Sequence, residues 1–139
     1  MANMVKMIPI TKEWYDYLNS GKLMGLKCEH CGTIAFPPVP VCNECGKHDM
    51  EWAEISGEAR LMSYTWSPEG ASPFWDESVM LGMFTLKEGV NIQTFLIGAT
   101  KEDETYLYEN CPIDVIAEIV RVSDEYNLCY PAFRIKSRD

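Results

Sequence analysis

The sequence is short of basic side chains. Lysine and arginine together number 12, against 21 aspartates and glutamates, so the formal net charge is −9. Proteins that bind nucleic acid need an excess of basic side chains to neutralise phosphates, usually gathered on one face. No basic stripe compensates for the deficit in this sequence. The composition therefore argues against a nucleic-acid partner.

Long apolar runs are also missing. The first ten residues carry one lysine and no run long enough for a signal peptide, and no later stretch approaches the roughly 20 apolar residues of a membrane span. We therefore expect a cytoplasmic chain without a membrane partner. Because 47% of the 139 residues are hydrophobic, the chain can still bury a core of its own.

Histidine and catalytic motifs are scarce. His30 and His48 are the only histidines, and both lie in or just beyond a cysteine-rich segment, where we expect them to be solvated. No other histidine is available to activate Cys111 or Cys129, so we expect both cysteines to be small core residues. The G-x-S-x-G, H-E-x-x-H and glycine-rich phosphate-loop patterns are absent. The chain is not expected to catalyse a reaction by itself.

What the sequence does have is a doubled cysteine motif. Two C-x-x-C pairs, each followed by glycine, are separated by ten residues and supply Cys28, Cys31, Cys42 and Cys45. Two intervening residues let both thiolates of a pair reach one metal ion, and the following glycine can adopt positive φ, so that backbone amides point at the sulfurs. Four sulfurs complete a tetrahedron and leave no open position. The spacing predicts a structural Zn²⁺ bound by these four residues.

Other interpretations of the cysteines stay open. Iron in a rubredoxin-type site suits the same four-sulfur geometry. Two unrelated redox or buried cysteine pairs would show the same local spacing. A disulfide scaffold agrees less well with the sequence, since nothing directs the chain to an oxidising compartment.

Periodicity predicts the order of the elements. Trp14, Tyr17 and Leu18 fall on one face of a helix over Thr11–Ser20, with Thr11 as N-cap and Gly21 at the C-cap. Prolines and glycines then break the cysteine-rich segment into pieces too short to fold by burial alone. Five segments rich in β-branched and aromatic residues follow and predict a small β-barrel: Glu58–Ser67, Val79–Leu86, Asn91–Ile97, Asp114–Val122 and Leu128–Arg134.

The connections between these strands differ in length. Glu88 and Gly89 read as a hairpin turn between the second and third strands. Pro68–Ser78 and the acidic Lys101–Asn110 are the long connections.

This order resembles the acyl-CoA-associated zinc-ribbon/OB-fold family, long catalogued as a domain of unknown function. The motifs that carry the resemblance, over nearly the whole chain, are Gly21-Lys22-Leu23, the two cysteine pairs, Phe36-Pro37-Pro38, Trp52, Ser56-Gly57 and Pro131-Ala132-Phe133-Arg134. It implies a mainly β chain with an N-terminal helical segment (1–22), a rubredoxin-like zinc ribbon (23–56) and a five-stranded OB-fold barrel (57–139). One departure is Cys111-Pro112-Ile113-Asp114, where family members often have a glycine.

The resemblance also implies a function. Members accompany thiolases and related acyl-CoA enzymes as non-catalytic zinc-binding subunits. The implied partner is a thiolase-like catalytic subunit, which this chain would stabilise, with an acyl-CoA channel shaped at or near the shared interface. Benzoylsuccinyl-CoA thiolase, acetoacetyl-CoA systems and steroid side-chain systems are candidates. A zinc-ribbon/OB nucleic-acid binder and a rubredoxin-like electron carrier remain the alternatives.

Candidate contact residues complete the sequence-based picture. Phe74 and Trp75 lie in the proline- and serine-rich connection, where they would either anchor a partner or close the end of the barrel. The basic residues of the ribbon could meet a CoA phosphate, although ordinary solvated side chains explain them better: Lys22, Lys27 and Lys47.

Overall fold

The chain folds into two compact units. The computed structural model describes residues 9–67, 79–123 and 128–137. One unit comprises Met1–Ile55 with Arg121–Tyr130, and the other comprises Ser56–Val120 with Pro131–Asp139. The domain bounds 1–22, 23–56 and 57–139 stay a prediction. Phe74 and Trp75 lie outside the described residues.

The first element is the helix α1, Pro9–Asn19. It begins two residues before the predicted N-cap Thr11, because proline is well tolerated in the first turn of a helix, where its missing N–H costs nothing. The predicted C-cap is confirmed. The Lys22 N–H donates to Tyr17 O at 2.9 Å and the Gly21 N–H donates to Leu18 O at 3.0 Å, which is the bond pattern of a Schellman motif.

Aromatic side chains attach α1 to the ribbon that follows it. Trp14 and Leu18 are buried, and the Trp14 ring meets Phe36 edge-on with centroids 5.9 Å apart. The Trp14 indole N–H also donates to Met24 O at 2.8 Å. Because the helix buries its apolar face against the segment that carries the cysteines, that segment has a small core of its own.

The ribbon itself is a three-stranded antiparallel sheet. Its strands are β1 (Met24–Cys28), β2 (Ile34–Ala35) and β3 (Met50–Glu54), in the order β2-β1-β3. β1 thus lies in the middle, with Lys27 opposite Ile34 on one side and Glu51 on the other. These strands are short, and the sequence alone showed only broken segments here.

The second unit is a closed five-stranded barrel. Its strands are β4 (Glu58–Ser67), β5 (Val79–Leu86), β6 (Asn91–Ile97), β7 (Ile113–Ser123) and β8 (Leu128–Ile135). They close in the order β4-β5-β6-β8-β7, and β6 and β8 pair in parallel, with Leu96 opposite Phe133. This Greek-key order is that of an OB-fold. The predicted fold, mainly β with an N-terminal helix, a zinc ribbon and a five-stranded barrel, is confirmed.

Large apolar side chains fill the barrel. Phe84 and Phe133 pack with ring centroids 4.4 Å apart, tilted by 31°. Around them lie the buried side chains of alternate strand residues: Leu61, Met80, Leu86, Ile92, Leu96 and Val115. Because successive side chains on a strand point to opposite sides, the intervening residues face outward.

The helix that lies in the connection between β6 and β7 was not predicted from the sequence. The acidic connection contains a 3₁₀ turn, Lys101–Asp103, and the helix α2, Glu104–Asn110. The Thr100 backbone N–H donates to Asp103 Oδ2 at 2.7 Å, a reach-back bond that a Thr-x-x-Asp pattern signals before a helix. Leu107, with no exposed surface, fixes α2 to the core. Within the described ranges, neither α1 nor α2 is long and apolar enough to span a membrane.

Candidate metal centre

The four predicted cysteines meet at one place. The Sγ atoms of Cys28, Cys31, Cys42 and Cys45 all lie within 4.8 Å of one another. Cys28 Sγ is 3.6 Å from Cys45 Sγ, and Cys31 Sγ is 3.5 Å from Cys42 Sγ. Each short distance joins one cysteine of the first pair to one of the second. The two pairs therefore face each other across a single cluster.

The two loops that carry these pairs, the knuckles, have the same backbone geometry. The Cys28 N–H donates to Thr33 O at 2.8 Å and the Gly32 N–H donates back to Cys28 O at 2.9 Å. In the second knuckle the same two bonds join Cys42 to Lys47 O and Gly46 to Cys42 O, both at 2.9 Å. Gly32 and Gly46 have φ of 79° and 75°. The positive φ that the sequence predicted after each cysteine pair is confirmed.

Burial is also repeated. The first cysteine of each knuckle, Cys28 or Cys42, is buried, and the second, Cys31 or Cys45, is exposed. The cluster therefore has one side in the ribbon core and one side at the surface. Cys28, on the buried side, is the last residue of β1 and so belongs to the ribbon sheet.

Hydrogen bonds favour the thiolate form in the first knuckle. The pKa of Cys28 is lowered, chiefly by the backbone N–H of Cys31. The pKa of Cys31 is lowered to about 6 by the Thr33 hydroxyl and then by the Thr33 backbone N–H, and the hydroxyl oxygen lies 3.2 Å from Cys31 Sγ. Since the thiolate is the form that binds metals, these donors prepare the knuckle for a cation.

At Cys45, the nearby sulfurs have the opposite effect on the pKa. The Lys47 backbone N–H lowers the pKa of Cys45, but desolvation and the other three sulfurs outweigh it and raise the pKa to about 11. Four thiolates this close repel one another, so the last proton is hard to remove unless a cation sits among the sulfurs. The donor set is therefore that of a metal site.

The dimensions fit a small tetrahedral ion. A Zn–S bond of about 2.3 Å gives sulfurs about 3.8 Å apart at the corners of a tetrahedron. Two of the sulfur–sulfur separations in the cluster, 3.5 and 3.6 Å, lie close to that value. All four donors are sulfur, so a bound ion would have no place for water and would act structurally.

Neither histidine joins the cluster. Both are exposed, and His30 Nε2 pairs with Asp49 Oδ2, which lowers the pKa of that carboxyl through the hydrogen bond and the imidazole charge. The Glu29 N–H also donates to Asp49 O at 2.9 Å. The expectation of solvated ribbon histidines is confirmed, with the added feature that His30 ties the first knuckle to the end of the second.

The two remaining cysteines occupy different environments. Cys129 is buried and its thiol donates to Asn19 Oδ1 at 3.4 Å, as expected of a small core residue. Cys111 is only half-buried, so its prediction as a core residue was wrong; it caps the C-terminus of α2. Burial raises the pKa of both thiols. Each is therefore less ionised at neutral pH than an ordinary cysteine, which makes it a poorer nucleophile.

Basic side chains of the barrel are paired with carboxylates. Lys87 Nζ lies 3.3 Å from Glu58 Oε2, and Lys136 Nζ lies 3.5 Å from Glu58 Oε1. These contacts, with Lys87 first, lower the pKa of Glu58. Arg60 Nε lies 3.6 Å from Asp114 Oδ1, between shallow grooves of about 280 and 380 Å³. Exposed ion pairs of this kind contribute little to stability and are ordinary surface features.

The ribbon matches a known domain family. Residues 16–51 match the family described as ChsH2, rubredoxin-like zinc ribbon domain, and this match contains all four clustered cysteines. The matched segment begins within α1, two residues after Trp14, and ends within β3, so it contains the buried Leu18 but not the Trp14 side of the helix contacts described above.

Relatives extend the likeness beyond the ribbon. A DUF35 domain-containing scaffold protein of Pyrococcus furiosus is 24% identical over 134 residues, covering 96% of both chains. A probable enoyl-CoA hydratase alpha subunit of Thermomonospora curvata is 27% identical over 85 residues, which are 61% of this chain and 27% of that protein. The chain thus matches about a quarter of the second relative and almost the whole of the first.

A solved structure shares the complete fold. The "Ltp2-ChsH2(DUF35) aldolase" has a chain that superposes on this one with a TM-score of 0.77 and 21% identity, covering 96% of this chain and 100% of that one. At this identity the likeness concerns the fold. Together with the scaffold-protein relatives, it confirms the resemblance to the zinc-ribbon/OB-fold family that the sequence predicted.

Proposed function

We propose that this chain is a non-catalytic, zinc-binding subunit of an acyl-CoA thiolase-type complex, which it stabilises. The observation that carries the proposal is the pairing of a closed four-sulfur cluster with an OB barrel, in the arrangement of a chain named as part of a two-protein aldolase. Fold alone does not define function. The proposal therefore depends on the chemistry of this chain as well.

The metal in this proposal is a structural Zn²⁺ bound by Cys28, Cys31, Cys42 and Cys45. Its contribution is to hold together two knuckles whose strands are too short to fold by burial alone. The donor set leaves no open position at which a substrate could bind the ion. The ion would therefore shape the ribbon and leave the chemistry to a partner.

The proposed partner is a thiolase-like catalytic subunit. The relative from Pyrococcus furiosus is named a scaffold protein, and the two unclustered thiols have raised pKa values, which suits a helper better than a nucleophilic enzyme. The acyl-CoA would lie at or near the interface of the two subunits. The proposed substrate class is an acyl-CoA thioester, and the acyl group is left open.

The metal assignment is tested by removing one cysteine from each knuckle. We expect about one zinc per chain in the wild type, with Cys28→Ser and Cys42→Ser losing both zinc and ribbon order, because metal affinity and local folding share one free energy. Elemental analysis of the purified proteins measures the zinc. A red protein would identify iron in the same site.

His48→Ala is the matched control for the metal test. His48 lies just after the second knuckle and is exposed, so this variant should keep its zinc in full. Full zinc content in both cysteine variants would show that these residues are not the ligands.

The partner is tested by co-purification and turnover. We expect the chain to co-purify with the thiolase-like protein encoded nearest to its own gene, and the pair to cleave or condense acyl-CoA thioesters more efficiently than the catalytic subunit alone. The isolated chain should turn over none. Activity of the isolated chain that Cys111→Ala or Cys129→Ala abolishes would contradict the accessory role.

A further inference from the structure

An uncharged surface covers three neighbouring strands of the barrel. On β5, Met80 and Phe84 are buried in the core, so Leu81 and Met83 point outward. Their neighbours across the ladders are Thr65 and Phe95 beside Leu81, and Ser63 and Gln93 beside Met83. We name this surface the uncharged face; it consists of Met62, Ser63, Thr65, Leu81, Met83, Gln93 and Phe95.

The lack of charge on this face is unusual for the molecule. Charged residues make up 24% of the chain, and nearby positions include Glu58 and Arg60 on β4 and Lys87 directly after β5. None of the seven residues of the uncharged face carries a charge. A face of this kind costs little to remove from water, which is what a docking surface requires.

Two methionines make the face apolar. Met62 is 47% exposed and Met83 is 38% exposed, and among the described residues Tyr108 is the only other large hydrophobic side chain as exposed as these. A β-bulge between Leu61 and Ser63 leaves Met62 as an extra residue opposite β5, which is how a strand turns a side chain toward a new direction. Methionine is flexible and recurs at protein-binding surfaces.

The chemistry of the face selects the kind of partner. OB-folds commonly bind oligonucleotides or oligosaccharides on their second and third strands, which are β5 and β6 here. Binding a nucleic-acid strand needs basic side chains and aromatic platforms, whereas this face has no lysine or arginine and Phe95 as its one aromatic residue. Its surface fits an apolar patch of another protein.

The net charge also favours a different protein over a second copy of this chain as the partner of this face. Each copy of this chain carries a net charge of −9, so two copies approaching through the same face repel each other at long range. A partner of different composition avoids that repulsion.

We infer that the uncharged face is the surface through which this chain contacts an apolar patch of its catalytic subunit. This inference rests on the proposed function, because it names the part of the chain that the complex would bury. Lasting hetero-complexes bury about 2,000 Å² or more in total, so the face forms the apolar centre of a larger contact.

The test places carboxylates on the face. A Met62→Glu/Met83→Glu double variant should bind the thiolase-like subunit at least about 100-fold more weakly, since unpaired charges would be forced into an apolar contact. Isothermal titration calorimetry with the purified subunit measures the dissociation constant. Tyr108→Glu is the matched control, because Tyr108 is 82% exposed on α2, outside the face; its binding should stay within about two-fold of the wild type.

The possible results distinguish a wrong docking face from a wrong proposed function. If the wild type binds and the double variant, with unchanged zinc content and unfolding temperature, binds equally well, the face is not the interface and the proposed function stands. If the wild type does not bind the thiolase-like subunit, the proposed function itself fails. Two other results would overturn the inference. If the wild type forms a homodimer and the double variant is monomeric, the face binds a second copy of this chain. If the wild type binds oligo(dT) and the double variant does not, the face binds nucleic acid.

Discussion

Thr33 distinguishes the two knuckles at the scale of single residues. Its hydroxyl lies 3.2 Å from Cys31 Sγ and is the largest cause of the lowered pKa of that thiol. At the matching position of the second knuckle, Lys47 supplies a backbone N–H to Cys45. The two exposed ligand candidates are therefore supported unequally, although their backbones repeat each other.

This asymmetry gives a prediction for zinc retention. Thr33→Val should release zinc to a chromogenic chelator about 10-fold faster than the wild type, because groups that hydrogen-bond to metal ligands typically contribute 10- to 100-fold to affinity. Thr33→Ser keeps the hydroxyl and should restore slow release. Lys47→Val, which keeps its backbone N–H, should change the rate little. Equal rates for Thr33→Val and Lys47→Val would show that the hydroxyl does not support the site.

The cysteine cluster could be predicted from the sequence, but the contacts that support it could not. The C-x-x-C-Gly spacing encodes a local turn, so four cysteines and two positive-φ glycines were predictable without any knowledge of the fold. The Thr33 hydroxyl and the pair formed by His30 and Asp49 depend on side-chain rotamers and on how the knuckles face each other. No spacing rule expresses either of these.

At the scale of elements, β5 has almost no room on its inner side. A Cβ added at Gly82 would lie 2.7 Å from Leu61 Cδ1 and 2.7 Å from Phe84 Cζ. Both atoms belong to side chains with no exposed surface, so they cannot move aside easily. The barrel is closed around this point by the packing of β4 against β5.

We therefore expect Gly82→Ala to destabilise the barrel. The free energy of unfolding should fall by about 1–3 kcal/mol, the usual effect of overpacking a tight core. Chemical denaturation monitored by circular dichroism measures the change, and zinc content should stay at the wild-type value. Ser63→Ala, on the exposed side of β4, is the control and should change stability by less than about 0.5 kcal/mol. A neutral Gly82→Ala would mean that the core can relax.

The barrel strands were easier to predict than the helices between them. All five strands begin and end within one residue of their predicted bounds, because β-branched and aromatic residues alternate with polar ones and turn residues separate them. α2 was missed because its segment is acidic and reads as a solvated loop, and only its capping pattern and buried Leu107 identify it. In β1 to β3 the strands are so short that pairing across the sheet, a long-range property, decides them.

At the scale of the whole molecule, the first unit draws on two distant parts of the chain. Arg121–Tyr130 belongs with Met1–Ile55. Arg121 Nη1 donates to Asn19 Oδ1 at 3.1 Å, and Cys129 contacts the same oxygen. Asn19 ends α1, so the helix that supports the ribbon is itself held by residues about a hundred positions later.

A truncation tests this dependence. A chain ended after residue 56 should still bind one zinc, because all four cysteines remain, but its zinc should be released at a temperature at least about 5 °C lower than in the full chain. Heating in the presence of a chromogenic chelator measures the release. Asn19→Ala in the full chain should lower the temperature of zinc release by part of the same amount. Equal release temperatures for the truncated and full chains would show that residues 1–56 suffice.

The split origin of the first unit also bears on how such proteins can be rearranged in evolution. The matched domain family ends at residue 51, yet the folded unit includes residues encoded far downstream. A gene fusion that copied only the ribbon-coding stretch would transfer the metal-binding loops without Arg121–Tyr130, which belongs to the same unit. A copy that keeps both coding stretches would preserve the whole unit.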